Sequence, residues 1–194
     1  MIPLETQYVE FFDLLPKHAK LTIQMLVPHK YEKIDSGSFW LSETPEVMSK
    51  SWGAQYNRVC SYVILTDNAT GNDFVVFNTH LSHVSDEARI NGIKVVLDKI
   101  AEFGSLPAVI MGDFNAEEGS ETYVKVTENF DDARYRTEKA SDSHTYQGWG
   151  NPEKYKRIMI VNIKAGESAM GPLMKAMGMD NSGKAAQLLK EKLC

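Results

Sequence analysis

Phe74-Val75-Val76-Phe77-Asn78-Thr79-His80-Leu81-Ser82-His83 and Ala108-Val109-Ile110-Met111-Gly112-Asp113-Phe114-Asn115 are the stretches on which the fold turns. Each is a short apolar run that ends in a cluster of chemically capable residues. Runs of this kind read as buried strands, and in layered α/β folds functional groups gather at strand ends and in the loops beyond them. Alternate residues of an extended chain point the same way, so Asn78 is expected to face with His80 and Asp113 with Asn115. A carboxylate, two amides and an imidazole suit metal-assisted attack on a phosphate.

Working outward, Ser61–Thr66 and Asp73–Asn78 are strand-like, and Asp67-Asn68-Ala69-Thr70-Gly71-Asn72 between them predicts a hairpin loop. Neither strand alternates cleanly between polar and apolar residues, so both faces of the sheet are expected to be covered. Ser85 can cap a helix with Asp86 and Glu87 in its first turn, where the helix dipole favours negative charge. Ile93, Val96, Leu97 and Ile100 give that helix an apolar stripe, and Gly104 is placed to end it. Ala108–Met111 then forms a short buried strand, and Ala116–Tyr123 begins a second, shorter helix. Hairpin, covering helix and further strand together indicate an α/β sandwich with helices outside the sheets.

The flanks carry weaker signals. Tyr8, Val9, Phe12 and Leu15 fit one face of a short helix closed by Pro16, and Leu21–Val27 reads as a strand stopped by Pro28. Asp35-Ser36-Gly37-Ser38 predicts a turn before a short extended run at Phe39-Trp40-Leu41. Residues 127–145 read as a solvated loop, and Tyr155–Ile163 as a last strand. Met170, Met174, Met177 and Met179 precede a short helix over Lys184–Leu193, and core filling is the favoured role for these methionines.

With 194 residues, 43% hydrophobic and 24% charged, the chain is expected to be one globular domain over 1–194. No apolar run approaches the roughly 18 residues of a membrane span, and no secretory signal is visible at Met1–Gln7. Cys60 and Cys194 make a poor disulfide framework, so a reducing cytoplasm is the default expectation. The net charge of −5 weighs against a protein that coats nucleic acid through a basic surface. A nuclease stays open, because a bound cation supplies positive charge that a formal sum ignores.

Singly, the polar residues have ordinary readings. An Asp two positions before an Asn is more often a turn or cap, and a lone histidine more often structural. Arg58 is equally a phosphate contact or a surface ion pair. His83 lies three residues from His80, but two histidines without a third ligand do not make a zinc site. Specificity comes from the combination Asn78-Thr79-His80-Leu81, followed one helix later by Met111-Gly112-Asp113-Phe114-Asn115.

That combination resembles the endonuclease/exonuclease/phosphatase superfamily of divalent-metal-dependent phosphoesterases, and within it the bacterial hydrolase branch. The resemblance covers about Tyr31 to Ile158. It includes Ser36–Pro45 (Ser-Gly-Ser-Phe-Trp-Leu-Ser-Glu-Thr-Pro), Ser51-Trp52 with Asn57-Arg58, Asn78–His83, Glu87-Ala88-Arg89, Gly112–Ala116 and Thr145–Trp149. It implies a four-layered α/β sandwich, two packed and mainly antiparallel sheets flanked by helices. It also implies hydrolysis of phosphate esters by a water activated with Mg²⁺ or Mn²⁺. His80 would then hydrogen-bond the phosphate, Asp113 would orient or deprotonate the water, and Asn115 would hold that carboxylate and a phosphate oxygen. Asn78 would support the site from the same strand. Such groups act by positioning and by stabilising developing charge.

The pattern is broken at both ends, so the fold is expected to be incomplete at its N-terminus and divergent in a helical tail over 164–194. Residues 1–35 lack the family's Asn-bearing strand and its Leu-Gln-Glu metal carboxylate, leaving Asp113 as a weak metal candidate. Arg157-Ile158-Met159 carries a methionine where the family has Asp, and no Ser-Asp-His follows; Ser141-Asp142-Ser143-His144 stands too early. Because such groups act as a unit, these losses predict weak or no hydrolysis by the chain alone. The alternatives are an inactive remnant, a phosphate-binding module, or an interaction protein that self-associates through an exposed sheet edge. Nucleic acids, phospholipids and inositol phosphates are all substrates within the superfamily, and fold does not choose among them.

Overall fold

The hairpin forms where its polar loop places it. In the computed structural model, which describes residues 6–9, 25–28, 30–136 and 161–164, the elements run in this order. Strands β1 (Thr6–Val9), β2 (Met25–Pro28), β3 (Tyr31–Trp40), β4 (Val59–Asp67) and β5 (Asp73–His80) come first. Helix α1 (Asp86–Ala101), β6 (Ala108–Asp113), α2 (Glu121–Thr127), β7 (Asp131–Asp132), a 3₁₀ turn (Ala133–Arg136) and β8 (Val161–Lys164) follow. Six strands share one sheet in the order β3-β4-β5-β6-β8-β7, and β1 with β2 forms a separate antiparallel pair. The sheet is mixed, since β5 and β6 run parallel while their neighbours pair antiparallel. A parallel pair needs a crossover, and α1 supplies it.

Capping and periodicity explain α1. The Ser85 hydroxyl accepts from the Ala88 amide at 3.1 Å, Asp86 and Glu87 occupy the first turn, and Lys99 the last. Ala88, Gly92, Ile93, Val96 and Ile100 make the buried face. Together with Val126 of α2, this face closes over Phe39, Cys60, Val75, Phe77, Ala108 and Ile110 of the sheet. The opposite face is buried as well, with Val63 at 1% exposure and Val109 at 0%. Both faces are therefore covered, as a layered α/β sandwich requires. Among the described residues, no helix is long and apolar enough to cross a membrane.

Three local expectations are corrected. Tyr8 and Val9 lie in β1, paired with Leu26 and Met25, where the ladder with β2 outweighs a marginal helical pattern. Strand β2 does end at Pro28, as the proline predicts, with Pro28 itself paired to Thr6. Asp35–Ser38 is not a turn, because β3 runs straight through it with a register irregularity between Lys33 and Asp35. Tyr62, across from Gly37, lays its ring where a side chain would stand; a Cβ at Gly37 would meet its hydroxyl at 2.7 Å. The stretch after Thr127 is not wholly solvated either, since Phe130 and Ala133 are buried and Tyr123 Oη donates to Asp132 at 3.2 Å. Strand β8 overlaps the end of the expected Tyr155–Ile163 strand. The Thr145–Trp149 segment, Arg157–Met159, the methionines from Met170 and the expected helix over Lys184–Leu193 lie outside the described residues.

Candidate active site

Strands β5 and β6 are in parallel register, with Asn78 beside Met111, Thr79 beside Gly112 and His80 beside Asp113. Register alone thus brings the two polar clusters of the sequence to one sheet end. Gly112 makes the close approach possible. At φ 127° it stands where a Cβ would be 1.9 Å from the Thr79 carbonyl oxygen and 2.9 Å from Asn78 Oδ1. No side chain fits there, which gives the glycine of Met-Gly-Asp-Phe-Asn a steric reason.

Beyond the strands, backbone hydrogen bonds continue the join. The Leu81 amide donates to the Asp113 carbonyl at 2.9 Å, and Asn115 Nδ2 donates to the Leu81 carbonyl at 3.0 Å. Asn115 adopts a left-handed φ of 47°, which asparagine tolerates better than most residues. Its own amide donates to Asp113 Oδ1 at 3.0 Å, an Asx turn that fixes the carboxylate. The left-handed kink breaks the extended alternation expected to align Asp113 with Asn115. Asn115 instead touches Asp113 through its backbone and Leu81 through its side chain. On the neighbouring strand, Thr79 points to the opposite face and donates to the Val59 carbonyl at 3.0 Å.

The candidate groups meet at that end. His80 Nε2 lies 3.5 Å from Asp113 Oδ2, and both side chains are about half exposed, at 47% and 49%. Asn78 precedes His80 on the same face of β5 and is partly buried. Arg58 arrives from the residue before β4, whose start lies opposite the end of β5 in the antiparallel hairpin. Its backbone carbonyl accepts from the Leu41 amide at 2.8 Å.

Arg58 is only 7% exposed, so it is not a surface ion pair. Its Nη2 donates to His83 Nδ1 at 3.0 Å, and the Tyr56 ring stacks on that imidazole, centroids 5.8 Å apart. Among the described residues, no carboxylate lies within ion-pair distance of the guanidinium, although Asp113 is near enough for its charge to act on it. Burial lowers the Arg58 pKa while Asp113 opposes that shift. For His80, burial comes first and the Arg58 charge second in pushing the pKa below the usual histidine value, with His83 adding to them and Asp113 opposing. The site therefore pairs a neutral-leaning imidazole with a buried cation.

The loop between β3 and β4 walls this end and is held by hydroxyls. Ser42 and Ser49 are 2.6 Å apart, Thr44 Oγ1 and Ser49 Oγ 2.7 Å apart, and the Trp40 amide donates to the Pro45 carbonyl at 2.8 Å. The loop is fastened to α1 through Ser85, whose hydroxyl donates to the Trp52 carbonyl at 2.7 Å. Arg89 Nη1 donates to the Ser82 carbonyl at 2.7 Å and pairs with Asp86, bracing the segment after His80.

All five residues singled out from the sequence, Arg58, Asn78, His80, Asp113 and Asn115, thus converge on the adjoining ends of β4, β5 and β6. His83 joins them through Arg58, and Tyr56 was not anticipated. A usable clue was present, because Tyr56-Asn57-Arg58 immediately precedes the strand that a hairpin sets against His80. Among the described residues, no three His, Cys, Asp or Glu side chains converge to hold a metal ion.

No protein-family model matches the sequence, nor does any curated protein. Solved structures do match. A mannosyl-6-phosphatase of Bacteroides thetaiotaomicron is 27% identical over 84% of this chain, with a TM-score of 0.74. An endonuclease/exonuclease/phosphatase of Bacteroides vulgatus is 30% identical over 82% of this chain, also with a TM-score of 0.74. The chain spans 64% and 65% of those two proteins' lengths. A truncated TDP2 of Caenorhabditis elegans, 14% identical over 83% of this chain and 62% of its own with a TM-score of 0.59, shares the fold.

Proposed function

Because the chain belongs to the endonuclease/exonuclease/phosphatase superfamily, we propose that it binds and hydrolyses phosphate esters at the joined ends of β5 and β6. One observation carries the proposal: Arg58 is buried beside His80 and Asp113, and among the described residues no carboxylate pairs with it. A buried cation without a counter-ion is costly, and a bound phosphate would neutralise it. In this reading Arg58 takes the phosphate charge and neutral His80 donates to a phosphate oxygen. Asp113, held by the Asn115 amide, orients or deprotonates the attacking water. Asn78 supports His80 from below, and the Asn115 side chain keeps the strand ends together.

The superfamily's divalent cation, Mg²⁺ or Mn²⁺, belongs to the proposal, with Asp113 as the carboxylate this cluster offers it. The described residues do not fit such an ion by themselves, since one carboxylate among basic groups is too few oxygen donors. No step above is routed through the metal. The same shortage favours a second reading, in which the site binds a phosphate ester without turning it over.

Hydrolysis of mannose 6-phosphate and of bis(p-nitrophenyl) phosphate in Mg²⁺ or Mn²⁺, with an EDTA control, separates the two. Hydrolysis requires turnover that EDTA abolishes and that Asp113→Asn lowers by roughly 10²–10⁴-fold, the range for loss of a general base. Phosphate binding without turnover would move the conclusion to the second reading. A chain that does neither would sink both.

A further inference from the structure

We infer that His83 is a positioning residue, whose Nδ1 lone pair holds the Arg58 guanidinium in place for a phosphate; this rests on the phosphate reading of the site. The chemistry of the pair leaves one arrangement. A guanidinium has five N–H donors and no acceptor, so at 3.0 Å the Arg58 nitrogen donates and His83 Nδ1 accepts. The ring proton of neutral His83 is therefore on Nε2.

Burial gives that bond its importance. A 7% exposed arginine has little water to satisfy its donors, and among the described residues its side chain has one hydrogen-bond partner, His83. The Tyr56 ring lies within 16° of parallel to the imidazole, centroids 5.8 Å apart, so the acceptor also has an aromatic neighbour along its plane. Without His83, a long side chain with several rotatable bonds would have no polar contact among these residues to select its orientation.

The same geometry excludes two other roles for His83. A metal ion bound at Nδ1 would need the lone pair that Arg58 occupies, and a general base using Nδ1 would need it free. Its position three residues after His80 falls in the bend before α1, within hydrogen-bond reach of Arg58, rather than in a pair of metal ligands.

The test compares His83→Asn, whose Oδ1 can stand near the position of Nδ1, with His83→Leu, which fills the space without an acceptor. Inorganic phosphate binding to the full 194-residue chain is measured by calorimetry, with thermal melts as a folding control. Phosphate affinity is expected to fall roughly tenfold in His83→Leu and to stay within about threefold of wild type in His83→Asn, as loss and retention of a hydrogen bond to a charged group imply. Equal losses in both variants, or none in either, would overturn the inference. Long-range ¹H–¹⁵N spectra of the wild-type histidines give a second readout, independent of any ligand. His83 should show an unprotonated Nδ1 whose shift moves in Arg58→Leu, and a protonated Nδ1 overturns the inference. If the wild-type chain binds no phosphate, the proposed function fails, while the spectra still decide whether His83 holds Arg58.

Discussion

Strands β5 and β6 bury apolar residues on both faces along most of their length, and the two faces part company only at the strand ends. Under α1 and α2, Val75, Phe77, Ala108 and Ile110 are at most 1% exposed. On the other face, at the strand ends, Asn78 and Met111 are partly buried while His80 and Asp113 are exposed. The period of two lets a strand lend alternate residues to the core and to a site, so stability and chemistry are separable by single substitutions. Gly112 is the exception, since it serves both.

The comparison breaks most sharply at that glycine. Gly112→Ala would drive a methyl into the Thr79 carbonyl, 1.9 Å away by ideal geometry, and is expected to cost more than about 4 kcal/mol, at the exceptional end of single substitutions. Urea denaturation checks this, and a variant as stable as wild type would mean that the strands can part there. Next, Phe77→Ala on the core face should cost about 3–5 kcal/mol in the same measurement. A loss well below that range would indicate that the α1 face collapses to fill the cavity.

The smallest effect is a displacement in pH. Burial, Arg58 and His83 favour neutral His80, so the acid limb of its imidazole titration, followed by NMR, should lie below the ordinary histidine value of 6.5. Arg58→Leu should move that limb upward, because it removes one of the charges that disfavour protonation. Linkage has the matching sign. The stability contributed by neutral His80 is complete above 6.5 and is lost as pH falls through the lower folded-state value. A limb at or above the ordinary value in the wild type would contradict the charge arrangement of the site.

What could be seen in the sequence was local or periodic. The Asp67–Asn72 loop, the Ser85 cap, the spacing of Ile93, Val96 and Ile100, and the apolar run before Asp113 each specify their element within a few residues. The family motifs then identified the same residues that register brings together. Features that depended on distant partners were missed. Nothing near Gly37 announces the Tyr62 ring that makes room for a glycine inside β3, and nothing near Thr6 announces its ladder with Pro28. The burial of Arg58 was equally illegible, since an arginine after Tyr-Asn reads as solvent-facing until the hairpin and the loop from Leu41 close around it. The kink at Asn115 was hidden because asparagine permits a left-handed residue without requiring one.

Ser85 uses its one hydroxyl twice, accepting from Ala88 and donating to the carbonyl of Trp52, itself at a left-handed φ of 55°. The β3–β4 loop and the first turn of α1 therefore share a fastening. That helix is in turn the crossover that sets β6 beside β5, so the loop is tied to the element that brings the two strands into register. A single oxygen atom, belonging to neither His80 nor Asp113, thus ties the loop before β4 to the helix that joins their two strands.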